Sequence, residues 1–256
     1  MKKTLCAIAM VASLFTVSAL AKSKPKGVSA LVKSQGTIKG HFPIGKPALT
    51  PPSYCAPVCL FYGGDNNPDS PDDNGFANDN TLLVPDTTTW GAFTVPTGEV
   101  WTVYGLFINT IADGYNGLDP AASTWTIAQG LSEGDGGSPV ATGTDTASFN
   151  PTGRFPFGFT EYTMLVSTPA TTLNAGTYWV NILPNCTDEG NSDCSIAQYY
   201  FDNTFGLNRY GNLEPADISY FNSSFFGFDY ANTCEVSSTG CQAFSFGVIG
   251  VGHLSD

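Results

Sequence analysis

Side chains able to do chemistry are concentrated first in Gly63–Asn80, GGDNNPDSPDDNGFANDN. Asp65, Asn67 and Asp69 stand at i, i+2 and i+4, the spacing that opens an EF-hand loop, and hard cations such as Ca²⁺ take six to eight oxygens from such groups. The match stops there. The sixth position is Ser70 where an EF-hand needs Gly, and the twelfth is Phe76 where it needs Glu. Two readings stay open: a solvated loop of Asx turns, or a weak calcium loop of a β protein with Asp65, Asn67, Asp69, Asp72, Asp73 and Asp79 as ligands. Calcium would stiffen the chain there rather than take part in a reaction.

Material for catalysis is thin. Gly130-Leu131-Ser132-Glu133-Gly134 spells the G-x-S-x-G of a nucleophile elbow, a motif that works between a strand and a helix with an acid and a His following. Here Asp135-Gly136-Gly137-Ser138-Pro139 follows, which is a turn, and the histidines are His41 and His253. Glycoside hydrolysis needs two carboxyls at a set separation; Glu99, Glu133, Glu161 and Glu214 are candidates, and nothing in the sequence pairs them. Arg154 and Arg209 are the only cations after Lys46. Arg154 sits seven residues before Glu161, which a hairpin would bring back to it as a structural ion pair.

Between Gln198 and Tyr230 aromatic residues alternate with amides and acids. Flat rings beside hydrogen-bonding side chains suit sugars, because rings cover apolar sugar faces while amides bond hydroxyls. Tyr199, Tyr200, Tyr210, Tyr220 and Asn222 are the candidate ligand contacts. The competing reading places alternate rings in a core.

The elements that must position these groups are strands. Lys2 and Lys3, an apolar run from Thr4 to Leu20, and Ala19-Leu20-Ala21 form an export signal with cleavage expected after Ala21. Residues 22–54 are rich in Lys, Pro and Gly and read as a flexible tail or linker; within them Gly27–Val32, GVSALV, has the composition to add as a strand to another sheet. Residues 55–256, about 200 residues, form one β-sandwich domain. Short β-prone runs recur between Gly, Pro, Asn and Asp: 90–95, 100–111, 124–131, 140–149, 157–166, 177–183, 196–201, 217–221, 225–230 and 243–249. The run Val100–Asn109 is apolar, aromatic or β-branched nearly throughout, the pattern of a central strand buried on both faces. No stretch has a 3.6-residue apolar period with caps. The pattern predicts an all-β, antiparallel, jelly-roll-like sandwich of about ten strands, closed by Phe244–Ile249 beside Leu60–Tyr62.

Charge and cysteine narrow the partners. All six lysines of residues 22–46 precede the first acid, and from residue 47 the 22 acids face two arginines, a formal −20. Such a body repels nucleic acid and anionic membrane and attracts cations or its own basic tail. With Cys6 in the signal, six cysteines remain, in three close pairs: Cys55 and Cys59, Cys186 and Cys194, Cys234 and Cys241. In an exported chain these read as local disulfides. No later run has the roughly 18 apolar residues of a membrane-spanning helix.

The run Gly153–Leu165 followed by Leu173-Asn174-Ala175-Gly176-Thr177-Tyr178-Trp179 resembles secreted bacterial β-sandwich domains of the kind found on PEP-CTERM-type exported proteins. That resemblance implies an all-β secreted domain without transferable catalytic residues. The chain ends Gly250-Val251-Gly252-His253-Leu254-Ser255-Asp256, without the apolar helix and basic end of a sorting tail. These observations together give the expectation of a secreted or cell-surface non-catalytic protein, structural, adhesive or self-assembling. The alternatives are a carbohydrate-binding module and, behind it, a glycosidase-type hydrolase.

Overall fold

A computed structural model describes residues 55, 57–66, 75–113, 122–186, 198–211, 218–237 and 240–255. Thirteen strands make up the described fold: β1 (Cys59–Tyr62), β2 (Gly75–Ala77), β3 (Asn80–Thr81), β4 (Thr87–Asp113), β5 (Ala122–Gln129), β6 (Ser138–Asp145), β7 (Ser148–Pro151), β8 (Thr160–Cys186), β9 (Gln198–Thr204), β10 (Tyr220–Ser223), β11 (Phe228–Asn232), β12 (Ala243–Phe244) and β13 (Phe246–Leu254). One 3₁₀ turn at Pro156–Gly158 and one helical turn at Thr233–Val236 interrupt them. The pairing is antiparallel throughout except for the short β3–β8 contact, and the main path runs β1-β13-β4-β8-β5-β6. The chain is all-β and antiparallel in character.

Two strands are far longer than the sequence suggests. Residues 90–95 and 100–111 belong to one 27-residue strand, β4, and residues 160–166 and 177–183 to another, β8. Pro96-Thr97-Gly98-Glu99 reads as a turn, yet it lies in a bulge of β4, between the Val95–Gly176 and Val100–Asn174 pairs, with Gly98 at φ +83°. Pro169 falls in a separate irregularity of β8, between Ser167 and Thr171 and opposite Val103–Gly105 of β4. A bulge asks no ladder hydrogen bond of a proline nitrogen, so the strand passes through.

A second bulge, between Val103 and Gly105, switches the face of β4 that points inward. Phe93, Val95, Trp101 and Val103 face the main core before it, and Leu106 and Ile108 after it, while Tyr104, which has no opposite residue between the Ile249–Gly105 and Gly250–Val103 pairs with β13, is exposed. Beyond the bulge β4 is buried on both sides. Phe107 joins Cys55, Cys59 and Tyr62 in a smaller cluster on the reverse face. The closing strand pairs as the sequence predicts, with Cys59 opposite Ile249, Phe61 opposite Val248 and Tyr62 opposite Gly247. Gly247 is obligatory there: a Cβ would stand 2.2 Å from the Phe107 ring.

Disulfides join Cys55 to Cys59 and Cys234 to Cys241. Cys186 is also held in a disulfide; Cys194 lies outside the described residues. No described helix is long and apolar enough to cross a membrane.

Candidate functional site

Polar chemistry converges at one end of β1, where the chain enters Gly63–Asn66. Arg154 reaches this point from the segment between β7 and β8. Its Nε and Nη2 donate to the two oxygens of Glu161, the latter at 3.0 Å, and its Nη1 donates to Asp65 Oδ1 at 2.8 Å. Glu161 is completely buried, and Thr152 Oγ1 donates to it at 2.6 Å. The backbone closes the same hairpin, with Glu161 N donating to Arg154 O and Thr152 N to Glu161 O. A bidentate guanidinium fork is the geometry that best satisfies a buried carboxylate. Burial opposes the charge on Arg154, but the hydrogen bond and charge of Glu161, with Asp65 behind it, outweigh it and hold the guanidinium more firmly protonated than usual.

Asp65 is saturated from three sides. Tyr62 Oη donates to Oδ1 alongside Arg154, and Asn208 Nδ2 donates to Oδ2 at 2.7 Å. Asn208 adopts φ +58°, a left-handed conformation that Asn tolerates better than most residues, and this turns its amide toward Asp65. The network continues inward. Asn109 Nδ2 donates to Ser245 Oγ at 2.7 Å and to Tyr62 Oη at 3.2 Å, while its Oδ1 accepts from Thr163 Oγ1 at 2.8 Å. Ser245 Oγ donates to Gly64 O. Side chains from β1, β4, β8 and the loops around Asp65, Arg154, Asn208 and Ser245 are thereby tied to one another. The arrangement can clamp loops to a core. It leaves neither carboxylate an open face for acid–base work.

The expected metal ligands part company. Asp65 is an ion-pair acceptor with both oxygens engaged. Asp79 is fully buried, pairs through its backbone with Thr87, and accepts from Tyr199 N at 3.3 Å. Burial pushes its carboxyl well above the usual carboxylate range, against the pull of hydrogen bonds from Tyr199, Thr81 and Asn80. Asn67, Asp69, Asp72 and Asp73 lie outside the described residues. Among the described residues no group of three or more His, Cys, Asp or Glu is placed to hold a metal.

The expected ligand aromatics are largely structural. Tyr199 and Tyr200 are core residues at 2% and 1% exposure, so no sugar reaches their faces, and the alternation that suggested a binding ladder is that of a strand with both sides covered. Tyr210 and Tyr220 are half-buried, Tyr210 against the Phe107 cluster and Tyr220 against Trp179. Asn222 is different. It lines a surface depression of about 420 Å³ with Asp86, Ser224, Gly227, Phe228 and Asp229.

Among the described residues no two of the candidate glycosidase carboxyls share a hydrogen-bond partner. Glu99 accepts from Trp101 Nε1 at 2.8 Å, Glu133 is exposed in the turn before β6, Glu161 is held by Arg154, and Glu214 lies outside the described residues. Ser132 and Asp135 bridge to each other in a tight turn, so the G-x-S-x-G letters form a hairpin connection rather than an elbow. Sequence reading missed Asp65 as the second partner of Arg154, and Asn109 as the hub beneath it. An amide alone in the apolar run Val100–Ile111 was the available signal, since a buried amide must find partners. No protein-family model matches this chain, and no curated protein matches it.

Proposed function

We propose that the chain is an exported, non-catalytic all-β protein that assembles with copies of itself at the cell surface or in the surrounding matrix. The observation that carries this reading is the division of charge: six lysines and no acid in residues 22–46, against a formal −20 from residue 47 onward. Of the two cations in that body, Arg154 is locked between Asp65 and Glu161, so the body has almost nothing of its own to offer its exposed acids. A basic segment on a second copy is the complementary group. Disulfides fit an oxidising compartment outside the cytoplasm. Any calcium taken up by the 63–80 loop would draw on Asn67, Asp69, Asp72 and Asp73 rather than on Asp65. Light scattering on the chain beginning at Lys22 and on one beginning at Pro47 tests the reading: oligomers are expected from the first and monomers from the second, and a monomeric profile from both ends it.

A second reading, glycan binding, has an observation of its own. In the depression around Asn222, the side chains of Asp86, Asn222, Ser224 and Asp229 make no hydrogen bond to the described residues, and the half-buried Phe228 ring lies beside them. Acceptors and an amide next to a ring suit a donor-rich saccharide. A glycan array with the wild type and with Asn222→Ala and Asp229→Ala decides it. Retention lost in the variants supports the site, and a blank array removes it.

A further inference from the structure

The main path of the sheet has an open end at β6, which among the described residues pairs only with β5. Its other end, β1, is extended by the Tyr62–Tyr210 bridge. Along β6, Ala141 packs toward the core, and a Cβ at Gly143 would come within 2.7 Å of the Trp125 ring. The outward positions are Val140, Thr142 and Thr144, all β-branched and exposed. No charge occurs from Ser138 to Thr144. Natural edges are usually blunted by lysine, inward charge, proline or a bulge. Here Pro139 and the irregularity at Val140, opposite Ile127–Ala128, protect only the first part, leaving 141–144 as a regular row with one edge unpaired among the described residues.

The ends of this strand are acidic. Glu133 and Asp135 stand exposed in the turn before it, and Asp145 ends it. The tail holds a segment with the opposite layout: Gly27-Val28-Ser29-Ala30-Leu31-Val32, free of charge, between Lys26 and Lys33, with Lys22 and Lys24 further out. We infer that Gly27–Val32 of a second copy adds as a strand along the free edge of β6, with Lys26 and Lys33 meeting the acids at its two ends. This deepens the assembly reading above and rests on it. In strand addition the main chain supplies the bonds and the flanks select the partner. Pairing of β6 with β6 of a second copy is disfavoured by the same charges, because an antiparallel pair would set Asp145 of each against Glu133 and Asp135 of the other. Residues 33–54 can span at most about 70–80 Å when extended, enough to reach a neighbouring molecule.

The test uses the chain from Lys22 and three variants, with thermal melts showing that each stays folded. Thr142→Lys places a lysine on the exposed edge, Ala30→Pro removes a strand-pairing N–H from the tail, and deletion of 22–46 removes the tail. In sedimentation velocity Thr142→Lys and Ala30→Pro each weaken self-association at least tenfold, and the deletion abolishes it. Mixing Thr142→Lys, which keeps its tail, with the deletion chain, which keeps its edge, restores a 1:1 complex. If the deletion abolishes assembly while Thr142→Lys and Ala30→Pro associate like wild type, the β6 edge is overturned and the charge-driven reading stands. If the mixture stays monomeric, docking on a second copy's β6 is overturned. If wild type is monomeric at every concentration, both fall.

Discussion

Replacing Arg154 by Met tests the clamp at its centre. The substitution keeps most of the side-chain length and removes three charge-assisted bonds, two to Glu161 and one to Asp65. Bonds of that kind contribute about 1.5–3 kcal/mol each where buried. The Asp65 bond is worth least here, because Arg154 and Asp65 are 23% and 16% exposed, whereas Glu161 is at 0% and would be left charged in a dry site. Breaking a buried pair from one side costs about 3–5 kcal/mol. For a domain of about 200 residues each kcal/mol moves Tm by about 2–4 °C, so the melt should fall by about 6–20 °C. Urea unfolding followed by tryptophan fluorescence gives the same quantity independently. The double variant Arg154→Met with Glu161→Gln should recover much of the loss, because it removes the stranded charge. A loss under about 1 kcal/mol for Arg154→Met, or a double variant worse than the sum of the singles, would refute the reasoning.

Asp79 gives a pH prediction with a defined sign. Its folded carboxyl is raised above the ordinary value of 3.8, so the native state retains a proton that the unfolded chain releases. Stability from this group is therefore present near and below pH 3.8 and declines as pH rises toward the folded value. Asp79→Asn should flatten that part of the stability–pH curve and stabilise at pH 7 by about 1–3 kcal/mol, read from urea midpoints, since the amide does not ionise and leaves no charge in a dry site. Gly247→Ala should destabilise by about 1–3 kcal/mol or more through overpacking against Phe107, measured by thermal melting. Replacing Cys55 and Cys59 by Ser should lower stability by about 2 kcal/mol, the scale expected for closing so short a loop.

Fold class was legible because its signals are local. β-branched and aromatic runs, separated by Gly, Pro and Asn, mark strands wherever they fall, and the apolar runs at 60–62 and 244–249, which open and close the strand-rich part of the chain, left few other places to pair. The great length of β4 and β8 was not legible. Pro96-Thr97-Gly98 and Pro169 carry turn chemistry, and only the neighbouring strand decides whether such residues become a turn or a bulge. Likewise Tyr199 and Tyr200 alternate with nothing that tells a solvent face from a second core, because both faces of β9 are covered. For the ion pair, Arg154 and Glu161 lie seven residues apart on one hairpin, a distance that sequence can bridge. Asp65 is 89 residues from Arg154. Its role follows from β1 and β8 coming to lie in one sheet with β13 and β4 between them, which brings the Arg154 segment to Asp65 and which no local pattern specifies. The acidic stretch that stands out in the sequence thus contributes at least one of its aspartates to holding the entry loop on the core.

Assembly of this kind requires a basic tail to join an acidic body on another copy. Sedimentation velocity of the chain from Lys22, at fixed protein concentration and rising salt, tests it most directly. The Debye length falls from about 10 Å at 0.1 M to about 3 Å at 1 M, so charge-guided association weakens across that range. Oligomers at low salt should give way to monomer as salt rises, and the chain beginning at Pro47 should be monomeric at every salt. A single monomeric boundary for both chains at every salt and concentration would contradict it.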